Sequence, residues 1–276
     1  MERSIAVVYM AAGLSSRFGG KIKQLAKVGP NEESLIEYSL NQALKAGVNK
    51  IYFIVGEKTE KPFKETFGSS YRGIPIVYTF QPFDTEKRNR PWGSLDALCT
   101  IRGKISSLFI VCNSDDLYGV DAFKKLVGHL KNKKTCATIG YKLKNSLPEK
   151  GRVNRGIFRI KNNIVLSLKE FLNIGKDNLP ENKLTEDDLC SMNIFALSPE
   201  ILELLYKKLI LFKEENKNDK SVEAFLPHEI STLIKENKLI LEIYPTDELC
   251  LGITNPKDEI KLRETLNKIN KIKLIK

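Results

Sequence analysis

Apolar residues fall in short runs separated by roughly the length of a helix. Residues 5–10 (IAVVYM) are apolar throughout, as a strand covered on both faces must be. Residues 50–55 (KIYFIV), 74–80 (IPIVYTF), 108–112 (LFIVC) and 136–141 (CATIGY) read as further strands. Between them the spacing predicts helices over 35–46, 95–102 and 120–131. The first helix is bounded chemically: Ser34 and Glu37 form a Ser-x-x-Glu capping box at its start, and Gly47 stops it. Strands alternating with helices predict a parallel, doubly wound α/β sheet in the first half. The second half is more mixed. It has strand-like runs at 155–160, 164–168 and 192–197, then helices, a polar loop near 214–221 and a late strand at 239–244. A terminal helix over 257–275 places Ile260, Leu266, Ile269 and Ile272 on one face. No internal repeat or low-complexity linker interrupts this order.

The connection between the first strand and the capped helix, from Ala11 to about Glu33, is several times the usual length. It carries Gly13, Gly19, Gly20 and Gly29 together with Arg17, Lys21 and Lys23. In open α/β sheets, ligands bind beyond the carboxyl ends of the strands, where this loop must lie. Glycines let backbone N–H groups approach phosphate oxygens. Arg17 suits phosphate as a fork and Lys23 as a point charge. The loop is neither GxxxxGK[ST] nor GxGxxG, so it is not a Walker loop or a dinucleotide fingerprint.

A chain of 276 residues makes one large domain or two small ones, with a core that needs no disulfide or structural metal. Net charge is +11, which favours polyanionic ligands: nucleotides, nucleic acid or an anionic membrane. The lysines, however, are spread among acidic residues and form no aromatic-and-basic strip for stacking nucleic acid. A solvated basic surface is expected, with neither nucleic acid nor membrane as a partner. The five cysteines form no CxxC pair, which argues against zinc and for reduced thiols in the cytoplasm. No apolar stretch approaches the length of a membrane span, and the first strand is too short for a secretory signal. His129 and His228 stand alone and read as structural or surface residues.

The loop Ala11-Ala-Gly-Leu-Ser-Ser-Arg-Phe-Gly19, followed by Lys23-Gln24, resembles the signature of the sugar-1-phosphate nucleotidyltransferases. Gln81 and Pro91-Trp-Gly-Ser-Leu-Asp-Ala97 resemble that family's base-reading segment. Here the gap between Gln81 and Pro91 is longer than usual, and Ser94 stands where Thr is common. Cys112-Asn-Ser-Asp-Asp-Leu-Tyr-Gly119 resembles the acidic turn, with Asp115 in the place of the magnesium-binding Asp and Asp116 beside it as the competitor. Gly151-Arg-Val-Asn-Arg-Gly156, Glu170 and Ser191-Met-Asn193 follow in family order, and Gly252-Ile-Thr-Asn-Pro-Lys-Asp258 resembles the closing segment.

The resemblance implies a Rossmann-like, GT-A-type nucleotidyltransferase fold: a doubly wound, mostly parallel sheet in one domain over 1–276. Residues 1–135 would bind nucleotide, and 136–276 would supply the mixed acceptor-binding half and a closing helix. It implies nucleotide contacts from Ala11, Ala12, Gly13, Arg17, Lys23, Gln81, Gly93 and Ser94, with Arg17 and Lys23 also catalytic. Gly156, Glu170 and Asn193 would hold the acceptor. Asp115 would hold Mg²⁺, with Thr254 or Asn255 as the second ligand. Trp92 either stacks on the base or packs. The implied reaction is attack by an acceptor phosphate on the α-phosphorus of a nucleoside triphosphate, with pyrophosphate leaving. A phosphate is already ionised at neutral pH, which agrees with the lack of a Ser–His–Asp or Cys–His arrangement. A sugar 1-phosphate ranks first as acceptor, and a cytidylyltransferase acting on a phosphocholine-like acceptor is the alternative. A GT-A glycosyltransferase ranks lower, because Asn113-Ser-Asp115-Asp116 is not its Asp-x-Asp. The base and homo-oligomerisation are left open, with a weak preference for a pyrimidine.

Overall fold

The computed structural model describes residues 4–13, 21–149, 151–253 and 258–275. In the first half, β1 (Ile5–Ala11) leads through the glycine loop and a 3-10 turn (Lys23–Leu25) to α1 (Leu35–Lys45). There follow β2 (Lys50–Val55), α2 (Glu60–Phe67), β3 (Ser70–Tyr71), β4 (Ile74–Phe80), α3 (Ser94–Cys99), β5 (Leu108–Asn113), β6 (Asp116–Leu117) and α4 (Val120–Asn132). The second half contains β7 (Cys136–Lys142), β8 (Val153–Lys161), β9 (Ile164–Ile174), β10 (Leu189–Ser191), β11 (Phe195–Leu197), α5 (Pro199–Glu215) and α6 (Leu226–Lys235). It ends with β12 (Leu241–Thr246), β13 (Leu251–Gly252) and α7 (Asp258–Ile275).

Eleven strands form one sheet in the order β10-β8-β9-β12-β7-β11-β5-β1-β2-β4-β3. The run β5-β1-β2-β4 is parallel throughout, as the alternation predicts. Beyond β5 the sheet is mixed: β11 runs antiparallel to both β5 and β7, while β12 lies parallel to β7. The unbroken apolar character of β1 has a direct cause. Ile5, Val7, Tyr9 and Ala11 enter the core under α1, α2 and α4, while Ala6 and Val8 enter the core under α3, α5 and α6. Both faces are therefore covered, the condition for a doubly wound sheet.

The capping box at α1 forms as expected, with both reciprocal bonds between Ser34 and Glu37 present. Two expectations need correction. The run 192–197 is strand only over its last three residues, β11; Asn193, with φ +57°, lies in the bend between β10, which ends at Ser191, and β11. In α7, Ile260 is 66% exposed, and among the described side chains the buried ones are Leu262 and Leu266; Ile272 lies outside them. Positions 262 and 266 share a face at i, i+4, whereas 260 lies two residues back and points away. Leu262 and Leu266 pack with Val28, Leu35, Leu117 and Ile253, which clamps α7 over the turn after the glycine loop and the turn after β5.

Candidate active site

The carboxyl ends of the parallel strands lie side by side, so the segments leaving β1, β2, β4 and β5 share one edge. Gly13 leaves β1 here. At Gly56, after β2, a Cβ would come 2.9 Å from the Ala12 carbonyl oxygen, so glycine lets the two turns touch. Beyond the glycine loop, the 3-10 turn delivers Lys23 and Gln24. Gln24 is buried and donates from Nε2 to Ser114 Oγ (3.2 Å), which donates to the Met10 carbonyl oxygen (2.8 Å). This chain of bonds ties the lysine turn to the ends of β1 and β5. Gln24 Oε1 has no partner despite burial.

Lys23 Nζ is ion-paired with Asp115 and lies 3.5 Å from the Ile253 carbonyl oxygen. Asp116 has a different partner. Its Oδ2 accepts from Asn113 Nδ2 (2.9 Å). A Cβ at Gly252, its register partner between β6 and β13, would fall 2.2 Å from Asp116 Oδ1. Burial, and then the Asp115 charge, push the Asp116 carboxyl up to about 7; the Asn113 hydrogen bond and the charges of Arg155 and Lys23 oppose the shift. Behind the turn, the Asn113 N–H donates to Tyr118 Oη (3.0 Å), which donates to the Met192 carbonyl oxygen (2.9 Å). One tyrosine hydroxyl thus anchors the acidic turn to the bend that carries Asn193.

The expected acceptor residues occupy adjacent strands. Gly156 of β8 pairs with Ser191 of β10 on one side and with Glu170 of β9 on the other, and Asn193 lies two residues past Ser191. A Cβ at Gly156 would fall 2.9 Å from Leu168 Cδ1 and 3.6 Å from Glu170 Oε2, so the glycine makes room for Leu168 and lies in ordinary contact with that carboxylate. Partial burial raises the Glu170 carboxyl, against the Arg155 charge. Arg155 itself donates to the Ser146 and Asn154 carbonyl oxygens and buries an unpartnered Nε.

Gln81 follows β4, two strands from β1 or about 10 Å at the usual strand spacing. Gly93, with φ +97°, approaches the 224 backbone so closely that a Cβ would lie 2.6 Å from the Ala224 carbonyl oxygen. Ser94 Oγ accepts from the Leu226 N–H (3.0 Å) at the start of α6. Trp92 packs: the Arg88 guanidinium lies 3.3 Å from its ring centre and Phe212 meets it edge-on. Arg88 donates to the carbonyl oxygens of Arg90, Asp219 and Val222, so the long segment between Gln81 and Pro91 is pinned to the polar stretch after α5. Arg17, Thr254 and Asn255 lie outside the described residues.

The chain matches the nucleotidyl transferase family over residues 13–241. It belongs to that family. It is 28% identical over 250 residues to the bifunctional protein GlmU of Staphylococcus haemolyticus, covering 90% of this chain and 49% of that one. The chain thus spans about half the length of that curated relative. Three solved structures share the fold. A Bacillus anthracis protein assigned as a glucose-1-phosphate thymidylyltransferase, in complex with sucrose, superposes with TM-score 0.71 at 13% identity, covering 95% of each chain. The T. maritima inositol-1-phosphate CTP transferase gives 0.67 at 16%, covering 98% and 97%. A UDP-glucose pyrophosphorylase complexed with UDP-glucose gives 0.67 at 15%, covering 96% and 99%.

For a nucleotidyltransferase, several useful residues escaped the reading of the sequence. Asp96 figures there only inside the segment Pro91–Ala97, and Arg155 only inside the run Gly151–Gly156, neither with a role of its own. Only the folded chain brings Asp96 to Gln81 and Arg155 toward Glu170 and Asp116.

Proposed function

We propose that the chain transfers a nucleoside monophosphate from a nucleoside triphosphate to a small phosphorylated acceptor, a sugar 1-phosphate in the first instance, and releases pyrophosphate. The observation that carries this reading is the meeting of Lys23 with Asp115 at the carboxyl edge of the parallel strands. A cation and a carboxylate from sequence-distant turns share one partly open place, where a triphosphate and its metal need both. Lys23 would release Asp115 to bind phosphate oxygens and oppose the charge that develops on the leaving pyrophosphate. Gly13 offers its backbone to the phosphates, and Gln81 with Gly93 faces the base. Gly156, Glu170 and Asn193 supply the acceptor side.

The residues fit a magnesium ion. Asp115 is partly exposed, and its Oδ1 makes no hydrogen bond among the described residues. Mg²⁺ takes one or two carboxylates and completes its shell with phosphates and water. When bound, it would neutralise phosphate charge. The acceptor phosphate is already an anion, so no side chain is needed as a base, and catalysis rests on positioning and charge. The substrates named for the glucose-1-phosphate and UDP-glucose relatives support a sugar 1-phosphate. The five free, buried cysteines support a cytoplasmic setting.

The test is pyrophosphate release from each common nucleoside triphosphate, crossed with sugar 1-phosphates and phospho-alcohols, with Mg²⁺ and with EDTA. Metal-dependent release with one pairing is expected. Absence of both release and nucleotide binding across the panel would overturn the proposal.

A further inference from the structure

The Gln81 side chain is held in one orientation. Its Nε2 donates to the Gly93 carbonyl oxygen (3.0 Å) and to Asp96 Oδ2 (2.8 Å). Both partners are acceptors only: a peptide carbonyl, and a carboxylate that forms an ion pair with Lys213 of α5. The atom between them must therefore be the amide NH₂, which assigns the amide without appeal to its shape. No donor among the described residues reaches Oε1. Asp96 is 6% exposed, and each of its oxygens is engaged, one by Gln81 and the other by Lys213. Lys213 in turn lies 5.7 Å from the centre of the Trp92 ring that Arg88 covers. A line of packed and charged groups from α5 through α3 thus fixes one amide at the end of β4.

We propose that Asp96, backed by Lys213, is the positioning residue that sets base selectivity, because it leaves Gln81 only an acceptor, Oε1, to offer the nucleotide. The base it suits carries a ring N–H on its pairing edge: uracil, thymine or guanine. Cytosine and adenine present a ring-nitrogen lone pair at that place, and they can donate to Oε1 only from the exocyclic amine, in a shifted pose. Turning the amide to suit them would set Oε1 against the Gly93 carbonyl and the Asp96 carboxylate. Holding a carboxylate in a nearly closed place is costly unless it is paired, and here the pairing fixes the polarity of its neighbour. The inference rests on the proposed function, in which Gln81 faces the base.

Two measurements test it. In the first, UTP, dTTP, GTP, CTP and ATP are each titrated calorimetrically into the full chain with Mg²⁺ and no acceptor, and kcat/KM is then measured for each in pyrophosphate release. At least one of UTP, dTTP and GTP is expected to exceed both CTP and ATP by about 10²-fold or more, below the roughly 10⁴-fold that a site built for a hydrogen bond can reach, because the exocyclic amines of cytosine and adenine offer Oε1 a partial substitute. CTP or ATP binding as well or better overturns the inference and leaves the proposed function standing. Failure of all five to bind overturns both.

In the second measurement, Asp96→Asn can turn an N–H toward Gln81 Oε1 and its oxygen toward Lys213, so that only the Gly93 carbonyl oxygen still opposes reversal of the Gln81 amide. The ratio of the preferred nucleotide to its rejected counterpart is expected to fall by about 10-fold or more. A uniform loss across all five nucleotides, with the ratio kept, means a structural role only and overturns the positioning claim. If Asp96→Asn folds poorly, Asp96→Ser replaces it: its hydroxyl can donate as well as accept, which lifts the same constraint on Gln81, and the same narrowing is expected.

Discussion

Lys23 and Asp115 are 92 residues apart in sequence and ion-paired in space. Their side chains are 20% and 26% exposed, which limits what the pair adds to stability, since solvent-accessible ion pairs contribute little. Function is the better reason for it. Lys23→Ala is expected to lower turnover by roughly 10²-fold, the usual cost of removing one preorganised electrostatic group, while thermal stability changes little. Asp115→Ala is expected to lose as much or more, with a weakened response to added Mg²⁺. Near-normal turnover in either purified variant would show that the pair is a surface ornament of the fold.

Gly252 makes a sharper structural prediction. A methyl group there would meet Asp116 Oδ1 at 2.2 Å and the Asp115 carbonyl oxygen at 3.0 Å, so Gly252→Ala must push the acidic turn away from β13. Turnover is expected to fall by about 10-fold or more, because small displacements of positioning groups are costly. Gly128→Ala is the contrast. Gly128 lies inside α4 with nothing within 4 Å of an added Cβ, and the change is expected to stabilise the chain by about 0.5–1 kcal/mol. Melting curves and initial rates on both variants check the pair of outcomes.

The parallel half of the fold was legible because each of its elements states its own boundaries. The two-sided apolar runs, the Ser34–Glu37 box and the Gly47 stop depend only on neighbours in sequence. The second half was less so. Asn193 breaks a run that is apolar on both sides, and although asparagine tolerates the left-handed region, its place inside an apolar run hid the bend. For the proposed site, Gln81 and Asp115 could be picked out as residue types just past strands, and Lys23 as a cation in the long loop after β1. Asp96, Arg155 and Lys213 could not, because what matters about them is a contact across 15 or more residues: Asp96 with Gln81, and Lys213 with Asp96 at 117. Trp92, open between stacking on a base and packing, turned out to be covered by Arg88, 3.3 Å from its ring centre.

Glu170 and Gly156 give a prediction on the acceptor side. The Glu170 carboxylate lies beside its cross-strand partner Gly156, and nothing among the described residues donates a hydrogen bond to it. Such an acceptor suits the hydroxyl groups of a polyol or sugar. Glu170→Ala is expected to raise the acceptor KM by about 10-fold, the scale of one hydrogen bond to a charged group, with the nucleotide KM unchanged. A shift in the nucleotide KM alone would place Glu170 outside the acceptor site.

Glu37 closes the capping box of α1, the helix that follows the glycine loop, and its titration gives a prediction with a definite sign. Burial raises its carboxyl, but the Ser34 backbone and hydroxyl and the nearby Lys27 outweigh it, so the net shift is below the ordinary 4.5. A group whose folded pKa is depressed releases its proton more readily in the native state. Its contribution to stability is therefore present above the unfolded value and is lost as pH falls through the folded one. Glu37→Gln keeps an acceptor for the Ser34 N–H but removes the charge. At pH 7 it is expected to cost about 0.3–1 kcal/mol, the usual worth of a carboxylate in the first turn of a helix. The gap between Glu37→Gln and the parent chain should hold from neutrality down to near pH 4.5 and then close as acid protonates Glu37 in the parent. Paired denaturant melts between pH 7 and pH 3 measure it, and a gap that widened in acid would mean that the charge at Glu37 opposes the helix.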